Sequence, residues 1–280
     1  MQIRVNGRTV FAVTGGRPFD AAKPAVLFLH GAGMDHTVWS QQSRYVAHHE
    51  RAVLTVDLPG HGRSDGPALP SVPELADWVV RLLDAAGLER AALVGHSMGG
   101  LVALAAAAAS PARVAALALL GIAARMPVHP DLSAAARAGD HRAQELIVSW
   151  GYGPAGRVGG QPAPGLWLAG GGMRLLERAG QGVLATDLAA CDAYDGAEEA
   201  AARVACPTLF LLGAEDRMAP PAKARALVEA IPDADSVILA DAGHMMMVER
   251  PEAVTAALWR FLPSAANEKS RAEEAPPGSG

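Results

Sequence analysis

Cysteine is almost missing from this chain: Cys191 and Cys206 are the two in 280 residues. A disulfide framework is therefore excluded as the basis of the fold, and at most one bridge is open to it. Aromatic residues make up 5% of the sequence, which argues against a long aromatic-lined groove for polymers. Long apolar runs are missing too. The most apolar stretch, residues 93–109, is broken by Gly95, His96, Ser97, Gly99 and Gly100, so no membrane span is expected. Met1–Gly7 lacks the apolar run of a signal peptide, and a cytoplasmic location is the expectation. Positive charge is not in excess: 24 Lys and Arg stand against 29 Asp and Glu, for a net charge of -5. With both signs scattered and no basic stripe, nucleic acid is not an expected partner. No G-x-G-x-x-G phosphate loop follows a strand-like run. His36 and the pair His48-His49 lack the spacing of paired metal ligands. No cofactor and no metal are expected.

What the chain does have is alternation. Short, continuous apolar runs occur at 25–29, 52–56, 91–94, 114–120, 208–212 and 236–239, as strands buried on both faces would read. Helical patterns lie between them at 72–86, 101–109, 221–230 and 251–261. That order predicts an α/β fold with a mostly parallel central sheet and helices on both faces. Residues 1–14 fit an antiparallel hairpin at one edge. The alternation lapses over 123–205, where helical pieces near 141–150, 166–179 and 183–194 surround a loop at 151–165. The domain expectation is a core of 1–122 and 206–263, a helical cap insertion of 123–205, and a disordered tail of 264–280.

Gly95-His96-Ser97-Met98-Gly99 follows a strand-like run and precedes a helical one. This is G-x-S-x-G in the setting that gives it meaning. A serine on a sharp strand-to-helix turn is held strained, with its hydroxyl presented at the end of the sheet and flanking glycines preventing collisions. Ser97 is thus the candidate nucleophile, and the Met98 amide, opening the helix, is a donor for developing negative charge. Read with His30-Gly31-Ala32-Gly33, Asp57-Leu58-Pro59-Gly60-His61-Gly62-Arg63-Ser64, Gly213-Ala214-Glu215-Asp216 and Gly243-His244, the elbow resembles the signature blocks of the α/β-hydrolase superfamily. The resemblance spans roughly residues 20–262 and is weakest over the inserted segment.

A serine hydroxyl needs a base to take its proton. The resemblance implies His244, on a loop beyond the last strand-like run, and Asp216, at the end of the run 208–212, as base and acid in the chain order Ser, acid, His. Glu215 and Asp241 are the rival carboxylates. The resemblance also implies a second oxyanion donor in the Ala32 amide, with Gly33 as the alternative. His30, Asp57 and His61 read as loop-organising residues. Gly31, Gly33, His96, Met126, Trp150, Trp167 and Met245 are candidate pocket residues.

The chemistry this implies is hydrolysis of a small or medium acyl substrate, carboxylesterase-like, through an acyl-enzyme at Ser97. C–C bond hydrolysis, lactonase or perhydrolase (haloperoxidase) activity fits the same triad. So does a slow-turnover ligand receptor on a hydrolase scaffold. Monomer and homodimer both remain open.

Overall fold

A computed structural model describes residues 1–161 and 165–263. The expected tail at 264–280 and part of the expected loop at 151–165 lie outside them. Eight strands form one sheet in the order β1-β2-β4-β3-β5-β6-β7-β8. They are β1 Gln2–Val5, β2 Arg8–Val13, β3 Ala25–Leu29, β4 Ala52–Val56, β5 Ala91–His96, β6 Val114–Leu120, β7 Thr208–Gly213 and β8 Ala234–Leu239. The first two make the edge hairpin, β2 pairs antiparallel with β4, and every later pairing is parallel.

The five apolar runs from β3 to β7 are buried along their whole length, because helices cover both faces of the sheet. Alternate residues serve opposite sides. Leu27 and Leu29 enter one core with helices α2 (Val72–Ala85) and α3 (Met98–Ala109). Val26 and Phe28 enter the other with α1 (Ser40–Ala47) and the C-terminal helix Pro251–Phe261. Strand β8 closes the sheet as a largely exposed edge. No helix among the described residues is long and apolar enough to cross a membrane.

Between β6 and β7 the chain forms α4 (Pro130–Ala138), α5 (Arg142–Gly151), α6 (Leu168–Glu177), α7 (Val183–Ala193) and α8 (Ala197–Ala201). Leu132, Ile147, Leu176, Leu184 and Leu188 from the first four of these share a separate apolar cluster. Ala197, Ala200 and Ala201 of α8 instead join the main core. Cys191 of α7 packs in that main core as well. Several helices differ from the sequence expectation. Helices α1, α4 and α8 and the short helix Met246–Glu249 arise where none was anticipated. Helix α3 begins at Met98 rather than Leu101, because the glycines of the elbow are its first turn.

Candidate active site

Ser97 sits between β5 and α3 at φ 54° and ψ −120°, a backbone conformation that L-residues rarely adopt. Two glycines make the turn physically possible. A Cβ on Gly95 would stand 2.2 Å from the Gly99 carbonyl oxygen, and one on Gly99 would stand 2.5 Å from that of His30. The Ser97 amide donates to the Leu120 carbonyl at 2.9 Å, which anchors the elbow to β6. The residue is 8% exposed.

Asp216 follows β7 on a turn. Its Oδ1 accepts from the Met218 and Ala219 amides, both at 2.8 Å, and its Oδ2 accepts from His244 Nδ1 at 2.8 Å. Burial by itself would raise this carboxyl's pKa, but His244 and those two amides bring it below the ordinary value. An ionised carboxylate can only accept, so the His244 proton is assigned to Nδ1 and the lone pair to Nε2. That Nε2 is buried and has no hydrogen-bond partner among the described residues. Beneath the ring lies His96, its centroid 4.7 Å from that of His244 and its Nε2 donating to the His244 carbonyl at 2.9 Å. Burial, and the proximity of His244, push His96 well below the usual histidine pKa, so it stays neutral.

The rival acids stand elsewhere. Glu215 is exposed, and Asp241 pairs at 3.7 Å with Arg250. Gly121, not singled out by sequence, closes the site from below. Its φ is +58°, and a Cβ there would stand 3.0 Å from His244 Nδ1.

The loop after β3 turns tightly, with the Met34 amide donating to the Gly31 carbonyl at 3.2 Å. Gly33 spends its amide on Asp187 Oδ2, at 2.8 Å. The Ala32 and Met98 amides donate to nothing among the described residues. Of the two loop amides considered as oxyanion donors, Ala32 alone is free. Asp187 also accepts from His61 Nε2 at 2.7 Å, and His61 Nδ1 donates to the Pro59 carbonyl at 3.0 Å.

A cavity of about 350 Å³ opens over these groups, with Ser97, Ala32 and His244 on its floor and α4 to α7 above. Met126, Trp150 and Met245 line it. The other expected pocket residues do not. Gly31 is pressed against His96 and Ser97, Gly33 lies under Leu184 and Leu176, and His96 is fully buried. Trp167 points outward, 58% exposed. Arg217 and Lys223 also line the cavity, and among the described residues no Asp or Glu does. Both cysteines are free. Ligating atoms of Asp35, His36 and Asp57 lie within 4.8 Å of one another. Asp57 is already engaged by the His36 and Arg63 amides, and Asp35 by Thr37, so they organise a turn.

The sequence pattern of the alpha/beta hydrolase family matches residues 26–257. This chain belongs to that family. A RutD protein of Caulobacter sp. (strain K31), provisionally named as a carbamate hydrolase, is 32% identical over 89% of this hydrolase and 94% of its own length. The (E)-2-((N-methylformamido)methylene)succinate hydrolase of Acinetobacter baylyi is 25% identical over 86% of this chain and 90% of its own. Among solved structures, the enol-lactonase from Burkholderia xenovorans LB400 superposes with a TM-score of 0.83 at 28% identity, covering 94% of this chain and 99% of that one.

Proposed function

We propose that this hydrolase cleaves small or medium esters and lactones through an acyl-enzyme at Ser97. The observation that carries the reading is the unpartnered, buried Nε2 of His244, held in its basic tautomer by Asp216 at the cavity that Ser97 also lines. Nε2 takes the hydroxyl proton as Ser97 Oγ attacks the carbonyl carbon. The Met98 and Ala32 amides receive the tetrahedral oxyanion, and the protonated His244 then hands its proton to the leaving alkoxide. Water, deprotonated by the same Nε2, releases the acid and restores Ser97. The inserted helices act as a cap that keeps the site dry.

Charge on the cavity wall narrows the substrate. Arg217 and Lys223 line it with no acid beside them there among the described residues, which favours an acyl compound carrying a carboxylate. A succinate in the name of the Acinetobacter relative points the same way. Both cations are exposed, so each is worth only about 0.2–1 kcal/mol, or a few-fold in KM.

The test is a panel of esters, lactones, diketones and carbamates, with neutral and carboxylated members matched, on the wild type and Ser97→Ala. Turnover should be strongest on esters or lactones and should fall by about 10⁴-fold or more in the variant. Arg217→Gln with Lys223→Gln should raise KM for carboxylated members only. Retained ester hydrolysis in Ser97→Ala would overturn the reading.

A further inference from the structure

Asp187 is an acid in an apolar setting. It lies on α7, between Leu184 and Leu188 of the inserted cluster, and it is 1% exposed. A carboxylate this deep must be matched by charge and hydrogen bonds, or its burial is prohibitive. Its matches come from two loops of the main fold. One is the Gly33 amide at 2.8 Å, on the loop after β3, and the other is the His61 ring at 2.7 Å, on the loop after β4. His61 in turn is fixed by the Pro59 carbonyl, so both ring nitrogens are donors and the ring is a cation facing a carboxylate. Burial opposes that charge, yet the hydrogen bond and charge of Asp187, with Asp57 behind, hold the His61 pKa above its usual value. His30, stacked 4.8 Å away, is driven to about 3 by burial and by that neighbouring charge, and stays neutral. Its Nδ1 donates to the Gly31 carbonyl at 2.9 Å and its Nε2 accepts from the Leu58 amide at 3.0 Å.

We infer that Asp187 is a positioning residue of the oxyanion loop, acting from the inserted helix α7 through the Gly33 amide and the His61 ring. The Gly33 N–H and the Ala32 carbonyl share one peptide plane, so the bond to Asp187 holds the rotation of Ala32. The peptide that carries the free Ala32 amide is held on its other side, its Gly31 carbonyl accepting from His30 Nδ1 and from the Met34 amide, so the donor is set from both sides before substrate arrives. Helix α7 and the oxyanion donor become one mechanical unit: when α7 is docked the donor is set, and when α7 lifts the donor loses its brace. The functional half of this rests on the hydrolase reading above. The brace itself does not.

Two substitutions test it. Asp187→Leu keeps the apolar bulk and removes the acceptor, and Asp187→Asn keeps one oxygen for Gly33 and removes the charge. Hydrogen exchange over residues 30–35, read by mass spectrometry, reports the brace without any substrate. In Asp187→Leu that segment should exchange faster while α2 stays unchanged. On a short aryl ester kcat should fall about 10–100-fold, the scale of a misplaced or missing oxyanion donor, with KM within about threefold. Asp187→Asn should fall between the variant and the wild type on both readouts. Should Asp187→Leu fail to fold, Asp187→Asn paired with His61→Gln supplies a neutral hydrogen-bonded pair on which the same two readouts decide. Unchanged exchange at 30–35 in a folded variant, or a loss confined to KM, overturns the inference. If the wild type turns over no ester and Ser97 takes no fluorophosphonate, the hydrolase reading fails instead, and the exchange data still decide the brace.

Discussion

At His244 one proton is assigned by one neighbour. Because Asp216 is held ionised by the His244 ring and by two amides of its own turn, Nδ1 carries the hydrogen and Nε2 is left basic. Asp216→Asn presents an amide that can donate as well as accept, so the tautomer is no longer imposed. It should lower kcat by about 10⁴-fold while leaving KM and the melting temperature near wild type, the loss seen when a triad acid is neutralised. Steady-state kinetics beside a thermal melt check both halves. Some of this scale was legible in the sequence, since Ser97, Asp216 and His244 each follow a strong strand-like run in a recognisable block. Asp187 and Glu249 were not. Glu249 is buried and accepts from the Gly153 and Gly243 amides, at 2.9 and 3.1 Å, beside the loop that carries His244. Asp187 shares α7 with a second acid, Asp192, and Glu249 ends the short helix Met246–Glu249. Each has a partner far off in the chain, Gly33 at a separation of 154 from Asp187 and Gly153 at 96 from Glu249, so no local motif announces it.

Elements were readable where burial was simple. Strands β3 to β7 are covered on both faces and read as unbroken apolar runs. Helix α1 gave no apolar stripe, because it buries Gln42 and Ser43, with the Gln42 amide donating to the Met247 carbonyl at 2.9 Å. Helix α8 is five residues of Ala and Glu, too short to display a period. Gly121, immediately past β6, is where an element boundary serves the site. Gly121→Ala forces a side chain into the left-handed region and against the His244 ring. It should cost about 1 kcal/mol or more of stability and reduce kcat as well. A control separates the two effects. Ser71 caps α2, its oxygen accepting from the Glu74 amide at 3.3 Å, far from the cavity. Ser71→Ala should cost about 1 kcal/mol in denaturant titration with kcat unchanged.

Over the whole molecule, buried carboxylates tie the segment between β6 and β7 to loops at the end of the sheet. Asp187 joins α7 to the loops after β3 and β4, and Glu249 joins the turn after α5 to the loop that carries His244. Ionisation of Asp216, His61 and Glu249 links stability to pH. The Asp216 pKa is depressed in the folded state, so its contribution is present above the ordinary 3.8 and is lost as pH falls through the folded value. The His61 pKa is raised, so its contribution is complete below the ordinary 6.5 and is lost as pH rises through the folded value. Glu249 acts against Asp216 on the acid side, because burial raises its pKa and its contribution fades as pH rises through the folded value. Melting temperature should therefore decline as pH rises above 6.5 in the wild type, and that decline should flatten in His61→Gln. The claim on which the functional account depends is covalent. Rapid mixing with an activated aryl ester, followed by acid quench and peptide mass analysis, should reveal a pre-steady-state burst of phenol and the acyl group on the peptide that carries Ser97. Turnover with no burst and no acyl group on that peptide, in the wild type under the same quench, would contradict it.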